Sequence, residues 1–412
     1  MRDSFVNFYA AYKANDLTLS NFFMGDKMTI GGELHRAVCN YFLNFQIYKL
    51  NIPHPDVANI LIIAIFFFVV FLTTTRDISA STSILSRLHT EQLKGLAIFF
   101  VVLGHLWVHV SKRPASIILS GDAVSMFLIL SGFGLTISSE HKKLSFANFC
   151  TKRIKRVLIP YWVSTLLIIS LDYFLLKRTL PIGTIALTIM GINLQSELTN
   201  LDYVRWFVTF ILVWYVIFFV AYTQLNTSEF IFSMLAFALL IIPINYYRFH
   251  FILYQFFSFP AGCICAVYYK KILRINLTNR KLILLSVCGL FYALLYKLCM
   301  ANVHIHDTVF SHIPNILIKY IQEYNSLLIN FSVIILTAIL LLKGFSSNFL
   351  LFLGKYSYEI FLLHAVFLIK YNPIIKNTEI LALIAEFYLL LAVVVALAIL
   401  LFKFSSFRPL LR

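Results

Sequence analysis

Long apolar runs alternate with short polar connections along nearly the whole chain, and none of the runs alternates residue by residue as a lipid-facing strand does. The first run, about 57 to 74, contains no charged residue. Further runs follow at about 93–111, 122–139, 157–176, 205–223, 229–246, 251–269, 282–300, 326–343, 356–371 and 380–402. Each approaches the length a helix needs to cross the roughly 30 Å hydrocarbon core. The pattern predicts an all-α polytopic membrane helical bundle with about eleven crossings. The piece 180–194 is too short to cross and reads as re-entrant or interfacial. Residues 1 to about 55 mix aromatics with Asp3, Asp16, Asp26 and Glu33 and read as a partly helical extension. They lack the charged, apolar and cleavage regions of a signal peptide.

Composition agrees: 60% of the 412 residues are hydrophobic, only 13% are charged, and mean hydropathy is +0.85. The net charge of +16 does not point to nucleic acid, because most Lys and Arg sit in short loops between apolar runs, where they set topology and meet anionic lipid heads. Lys142, Lys143, Lys152, Arg153, Lys155 and Arg156 fill one loop, and Lys270, Lys271, Arg274, Arg280 and Lys281 another. Alternation places both, the 76–94 connection and the 403–412 tail on one face, which the charge rule makes cytoplasmic. The opposite loops hold fewer cations: Lys112 and Arg113, Lys177 and Arg178, and Arg248. Six cysteines, with one CxC at Cys263 and Cys265, support neither a disulfide framework nor a metal site.

Candidate chemistry concentrates in RLHTEQLKGLAIFFVVLGHLWVH, residues 87–109. On a helix, Arg87, Glu91, Lys94, His105 and His109 fall within an arc of about 60°, provided the helix already begins near Arg87. Lys94 and His105 then lie about 16 Å apart along the axis. Ionisable residues inside a bilayer face a bundle interior or a wet cavity and mark function by default. An isolated histidine reads as a packed hydrogen-bonding residue, but the whole stripe favours a site.

Four further stretches carry polar residues. SMFLILSGFGLT holds Ser131, Gly132 and Gly134, a spacing that fits close helix packing and also permits a ligand near the backbone. FANFCTKRIKRVLIPYW places Lys152, Arg153, Lys155 and Arg156 one turn before a span, which suits both a positive anchor with an aromatic belt and a phosphate-rich ligand. YVRWFVTF opens a span with Arg205 and Trp206, the pattern of an interfacial anchor or of a ring that stacks on a sugar. LGKYSYEIFLLHAVF carries Glu359 and His364 on different helix walls, with Lys355 in reach of Glu359.

Together these residues resemble the acyltransferase-3 family of integral membrane acyltransferases. Arg87, Glu91 and Lys94, with ten residues between Lys94 and His105, look like its first-helix signature. MFLILSGFGLT is similar to its Phe-Phe-x-x-Ser-Gly-Phe element, and Phe149, Lys152, Arg153, Arg156, Pro160, Tyr161 and Trp162 to its basic-aromatic third-helix entry. Trp206 and LGKYSYEIFLLH resemble two later signatures, and the likeness runs in order over about 85–410. Lys94 departs from the usual Arg, which keeps the charge and loses the bidentate fork. Residues 1 to about 80 lie outside the usual ten-helix core, so the expected organisation is an extension over 1–55, an extra span and linker over 56–80, and a membrane acyltransferase domain over 81–412.

The resemblance implies transfer of an acyl group, most often acetyl from acetyl-CoA, to a hydroxyl of a cell-surface or lipid-linked glycan, in a bacterial inner membrane. It implies His105 as the catalytic group, with Glu91 tuning the site from about 21 Å away. Arg87, Lys94, Lys152, Arg153 and Arg156 then bind the donor phosphates, with Ser131 shaping the acyl channel and Trp206, Glu359 and His364 contacting the acceptor. The expected partners are acyl-CoA, the saccharide acceptor and membrane lipid, with no nucleic acid and no metal. A transporter or flippase for a glycan would use the same stripe as a relay, but the sequence lacks the internal repeats common in transporters.

Overall fold

A computed structural model describes residues 49–77, 83–140, 145–193, 201–202, 204–248, 255–302, 305 and 313–406. The extension expected over 1–55 lies, up to residue 48, outside them. Helices dominate the described chain. In order they are α1 (Pro55–Leu72), α2 (Arg87–His105), α3 (Ser120–Glu140), α4 (Phe146–Arg153), α5 (Ile159–Leu176), α6 (Ile182–Ile189) and α7 (Trp206–Gln224). Then come α8 (Thr227–Arg248), α9 (Ser258–Val267), α10 (Arg280–Ala301), α11 (Asn315–Leu342), α12 (Asn348–Lys355), α13 (Ser357–Ala365) and α14 (Ile380–Ser406). Three π-helical turns, Leu106–Val110, Ile154–Leu158 and Val366–Lys370, continue α2, α4 and α13.

Every apolar run of the sequence lies on one of these helices, but fewer of them cross alone. Among the described residues, eight helices are long and apolar enough to span a membrane, and up to nine if a pair bent by 66°, Asn348–Lys355 and Ser357–Lys370, forms one span. Two of the expected crossings are represented among the described residues by shorter apolar helical stretches, Thr227–Leu240 within α8 and Ser258–Val267, which is α9. A ten-residue helix rises about 15 Å, half the hydrocarbon thickness.

Local chemistry sets the helix starts. Ser86 caps α2 by accepting from the His89 N–H at 3.3 Å, so the helix does begin at Arg87 and the ionisable stripe is continuous. Pro55 opens α1, and Asn279 and Ser347 cap α10 and α12.

Packing depends on glycines where backbones touch. A Cβ on Gly95 would lie 2.1 Å from the Leu350 carbonyl oxygen, and one on Gly354 would lie 1.9 Å from that of Glu91, so α2 and α12 meet backbone to backbone. Gly132 and Gly262 do the same for α3 and α9, at 2.3 Å from the Phe259 oxygen and 2.0 Å from the Ile129 oxygen. The small-residue element around Ser131 is thus a packing seam through Gly132, while Ser131 itself is half-buried.

The extra helix α1 is fastened onto this core. Phe66 stacks on Phe99 with centroids 3.7 Å apart. Asn59 accepts from the Trp107 indole at 2.7 Å and donates to the Ile117 carbonyl at 3.1 Å, and Tyr388 donates to the Ile62 carbonyl at 2.6 Å. A two-stranded antiparallel ribbon, Thr74–Arg76 with Phe345–Ser347, ties the other end of α1 to the start of α12.

Replacing Gly262 by Leu forces apart the α3–α9 seam and should destabilise the detergent-solubilised protein by about 1–3 kcal/mol, read as a lower thermal midpoint. Gly134, two residues beyond Gly132, provides the contrast, because a Cβ there would meet nothing within 4 Å. Gly134→Ala should leave the midpoint unchanged or raise it, since it removes a helix-interior glycine.

Candidate active site

Two histidines from different helices meet in the interior. His105, the last residue of α2, and His364, on α13, have ring centroids 5.1 Å apart at 70°. His109, one turn further along, stacks on His105 at 5.2 Å and 9°. His364 is fully buried, with Nδ1 2.8 Å from the Phe361 carbonyl oxygen and 3.2 Å from that of Ile360. Carbonyls only accept, so Nδ1 carries the proton and Nε2 presents a lone pair. That Nε2 is buried without a hydrogen-bond partner, and so is Nδ1 of His105. His105 is only partly buried, and its Nε2 is the ring nitrogen that keeps accessible surface.

A third histidine on the same helix shows what a satisfied one looks like. His89 accepts from the Leu85 N–H on Nδ1 at 2.9 Å, which leaves Nε2 to donate to Thr337 at 2.8 Å. Unpaired buried nitrogens are costly in an apolar bundle, so the pair His105 and His364 stands apart from a packing role.

Aromatic contacts bring a third helix to the centre. Phe361 lies 5.6 Å from the His364 ring and 5.0 Å from Phe207, the second residue of α7. Its neighbour Trp206 is half-buried against Phe207 and Phe210. His364 thus meets His105 directly, whereas Trp206 is joined to it only through the rings of Phe207 and Phe361.

The other expected residues lie elsewhere. Lys94 and Glu91 pair with each other at 3.0 Å, half-buried near the start of α2, about 16 and 21 Å of helix rise from His105. Arg87 opens the same helix. Lys152, Lys155 and Arg156 are exposed, but Arg153 is tucked between the rings of Phe149 and Tyr215, with its guanidinium carbon 5.6 and 5.0 Å from their centroids. Glu359 is buried, and Lys355 does not pair with it: the ammonium sits over the rings of Tyr356 and Phe402 at 5.1 and 5.8 Å. Tyr358, next to Glu359, donates to the Val157 carbonyl at 3.0 Å and joins α13 to the π-turn between α4 and α5.

Two anchors expected at the membrane boundary are internal. Tyr161 and Trp162 donate to the carbonyls of Thr188 and Ile189 at 2.6 and 2.8 Å and so hold α6 against α5. Arg205 is 1% exposed, bonds Asp202 at 2.8 Å and Thr165, and lies over the Tyr161 ring at 4.9 Å. Asp172 takes Lys370 and Tyr371 in a second buried cluster. These four charges were not among the expected site residues, although Asp172 and Lys370 interrupt apolar runs and so carried a signal.

Comparison with known families completes the picture. The acyltransferase domain model of the acyltransferase-3 family matches residues 90–403, which includes α3 to α13 whole and most of α2 and α14, and omits α1. No curated protein and no solved structure matched the chain. The matched region holds both histidines and covers most of the sequence, so the chain belongs to the acyltransferase-3 family and is a multi-pass membrane acyltransferase.

Proposed function

We propose that the protein is an O-acyltransferase that moves an acyl group, in the first instance acetyl, from acyl-CoA to a hydroxyl of a cell-surface or lipid-linked glycan. The observation that carries this reading is the crossed pair of His105 and His364, with one unpartnered buried nitrogen on each ring. His105 Nε2, the accessible nitrogen, takes the proton of the acceptor hydroxyl as that oxygen attacks the thioester carbonyl. The new C–O bond forms, the C–S bond breaks, and the proton passes to the departing thiolate of coenzyme A. His364 acts through His105: its Nε2 lone pair, unbonded at rest, accepts from Nδ1–H of His105 as the imidazolium forms and steadies that charge.

The donor reading rests on charge. Coenzyme A is a polyanion, and Arg87, Lys94, Lys152 and Arg156 lie on the helix and π-turn segments assigned to the cytoplasmic face, where their donors pair with phosphate oxygens. Arg153 supports this group from beneath, because its guanidinium is held by Phe149 and Tyr215. Glu91 keeps Lys94 in place as its ion-pair partner. The extended pantetheine arm then reaches along α2 toward His105, passing the seam beside Ser131. Glu359 lines the α13 side of this path, and Trp206 offers a face for the acceptor sugar. By this reading residues 81–412 form the catalytic domain, the C-terminus is cytoplasmic, and the membrane is a bacterial inner membrane.

Transfer of radiolabelled acetyl from acetyl-CoA into membrane glycan tests the assignment. His105→Ala should abolish incorporation without loss of membrane insertion, and retained transfer would remove His105 from the chemistry. His364→Gln should lower kcat by about 10²- to 10⁴-fold with the KM for acetyl-CoA unchanged. A rise in KM alone would instead make His364 a binding residue. Charge reversal of Lys152 and Arg156 to Glu should raise the KM for acetyl-CoA by roughly tenfold, and the effect should shrink as ionic strength rises.

A further inference from the structure

The end of α2 remote from Arg87 carries a group of cations that the reaction above does not use. His109, stacked directly on His105, precedes that group along the chain. Lys49 places its ammonium 2.8 Å from the Val108 carbonyl oxygen. The strap that bears Lys49 is spliced to the chain beyond α2: Leu50 donates to the Val110 carbonyl and accepts from the Lys112 N–H, both at 2.8 Å. Ser111 closes the turn by donating to the Arg113 carbonyl at 2.6 Å. Lys49, Lys112 and Arg113 are exposed around this splice.

Two acids near this end are engaged. Asp56 accepts from the Ser116 N–H at 2.6 Å and from its hydroxyl at 3.0 Å. On the adjoining π-turn, Lys370 is held by Asp172. Among the described residues neither Lys112 nor Arg113 pairs with a carboxylate. These backbone hydrogen bonds gather Lys49, Lys112 and Arg113 at one end of α2, and a concentration of cationic side chains favours an anion over a neutral ligand.

We infer that the acceptor is an anionic saccharide, bearing a carboxylate or a phosphate, that docks between Lys49, Lys112 and Arg113 and reaches His105 past His109. The inference rests on the O-acyltransferase reading above and names its acceptor class. Lys49 and its strap precede the region matched by the family model, so part of this mouth is supplied from outside the shared domain.

The test uses the full-length protein in proteoliposomes of zwitterionic lipid, so that no anionic headgroup competes. Radiolabelled oligosaccharides of one backbone, in neutral, uronate and phosphate forms, are measured both for equilibrium binding and as acceptors from acetyl-CoA. Binding of one or both anionic forms should be roughly tenfold tighter than that of the neutral form at low salt, and the margin should narrow as salt rises. The form preferred tells carboxylate from phosphate recognition. In a Lys112→Ser, Arg113→Ser variant, and separately in Lys49→Met, the ratio of anionic to neutral affinity should fall toward one. Equal binding of neutral and anionic forms by the native protein, or a ratio unmoved in both variants, overturns the inference. Binding needs no turnover, so preferential binding without any transfer would uphold the anionic site and count against the acyltransferase reading alone.

Discussion

An ionised group inside an apolar bundle has to find its partner within the protein, and this constraint organises the middle of the molecule. Arg205 and Asp202 pair across three residues and lean on Thr165 and Tyr161 of α5, while Asp172 of α5 holds Lys370 at the end of α13. Lys297 of α10 holds Asp122 of α3 at 2.7 Å. Arg205 reaches α5 through Thr165 and Tyr161, and Asp172 reaches Lys370, so the 201–205 segment, α5 and the end of α13 are joined in one frame. His364 sits on that frame and His105 on the helix packed beside it. Their unpartnered nitrogens are conspicuous because the charges around them are so completely engaged.

Much of this was legible in the sequence because it depends on composition and local periodicity. Apolar runs located the helices, and the 100° rotation per residue put the ionisable stripe on one wall of α2 on the condition that the helix begins near Arg87, which the cap at Ser86 meets. His105 stood out on that wall. The partner did not: Glu359 and His364 point to different walls of their own helix, and nothing local says which of the two meets α2. Only the backbone contact through Gly95 and Gly354 brings α13 alongside.

Other residues were misread for the same physical reason. Arg205 beside Trp206, and Tyr161 with Trp162, have the composition of a membrane-boundary anchor, yet their hydrogen bonds run inward to Asp202, Thr188 and Ile189. An amphipathic side chain at a helix start looks alike whether its polar tip meets water or another helix. Apolar content also does not reveal that α9 is only ten residues long or that α12 and α13 are bent.

The three π-turns begin directly after His105, after Arg153 and one residue after His364. Each such turn accommodates one residue more than an α-helical turn, so everything beyond it is rotated by about 100° from the position an uninterrupted helix would give. Removal of a single residue from 106–110 would restore ordinary winding and swing His109 and the strap-bearing end around the helix, while leaving every side chain up to His105 in place. The two halves of α2 are therefore separately adjustable. On the proposed reading, donor handling belongs to the α-helical part and the aim of the far end to the register of five residues, so an insertion or deletion there would change what is presented to an acceptor and leave His105 in place.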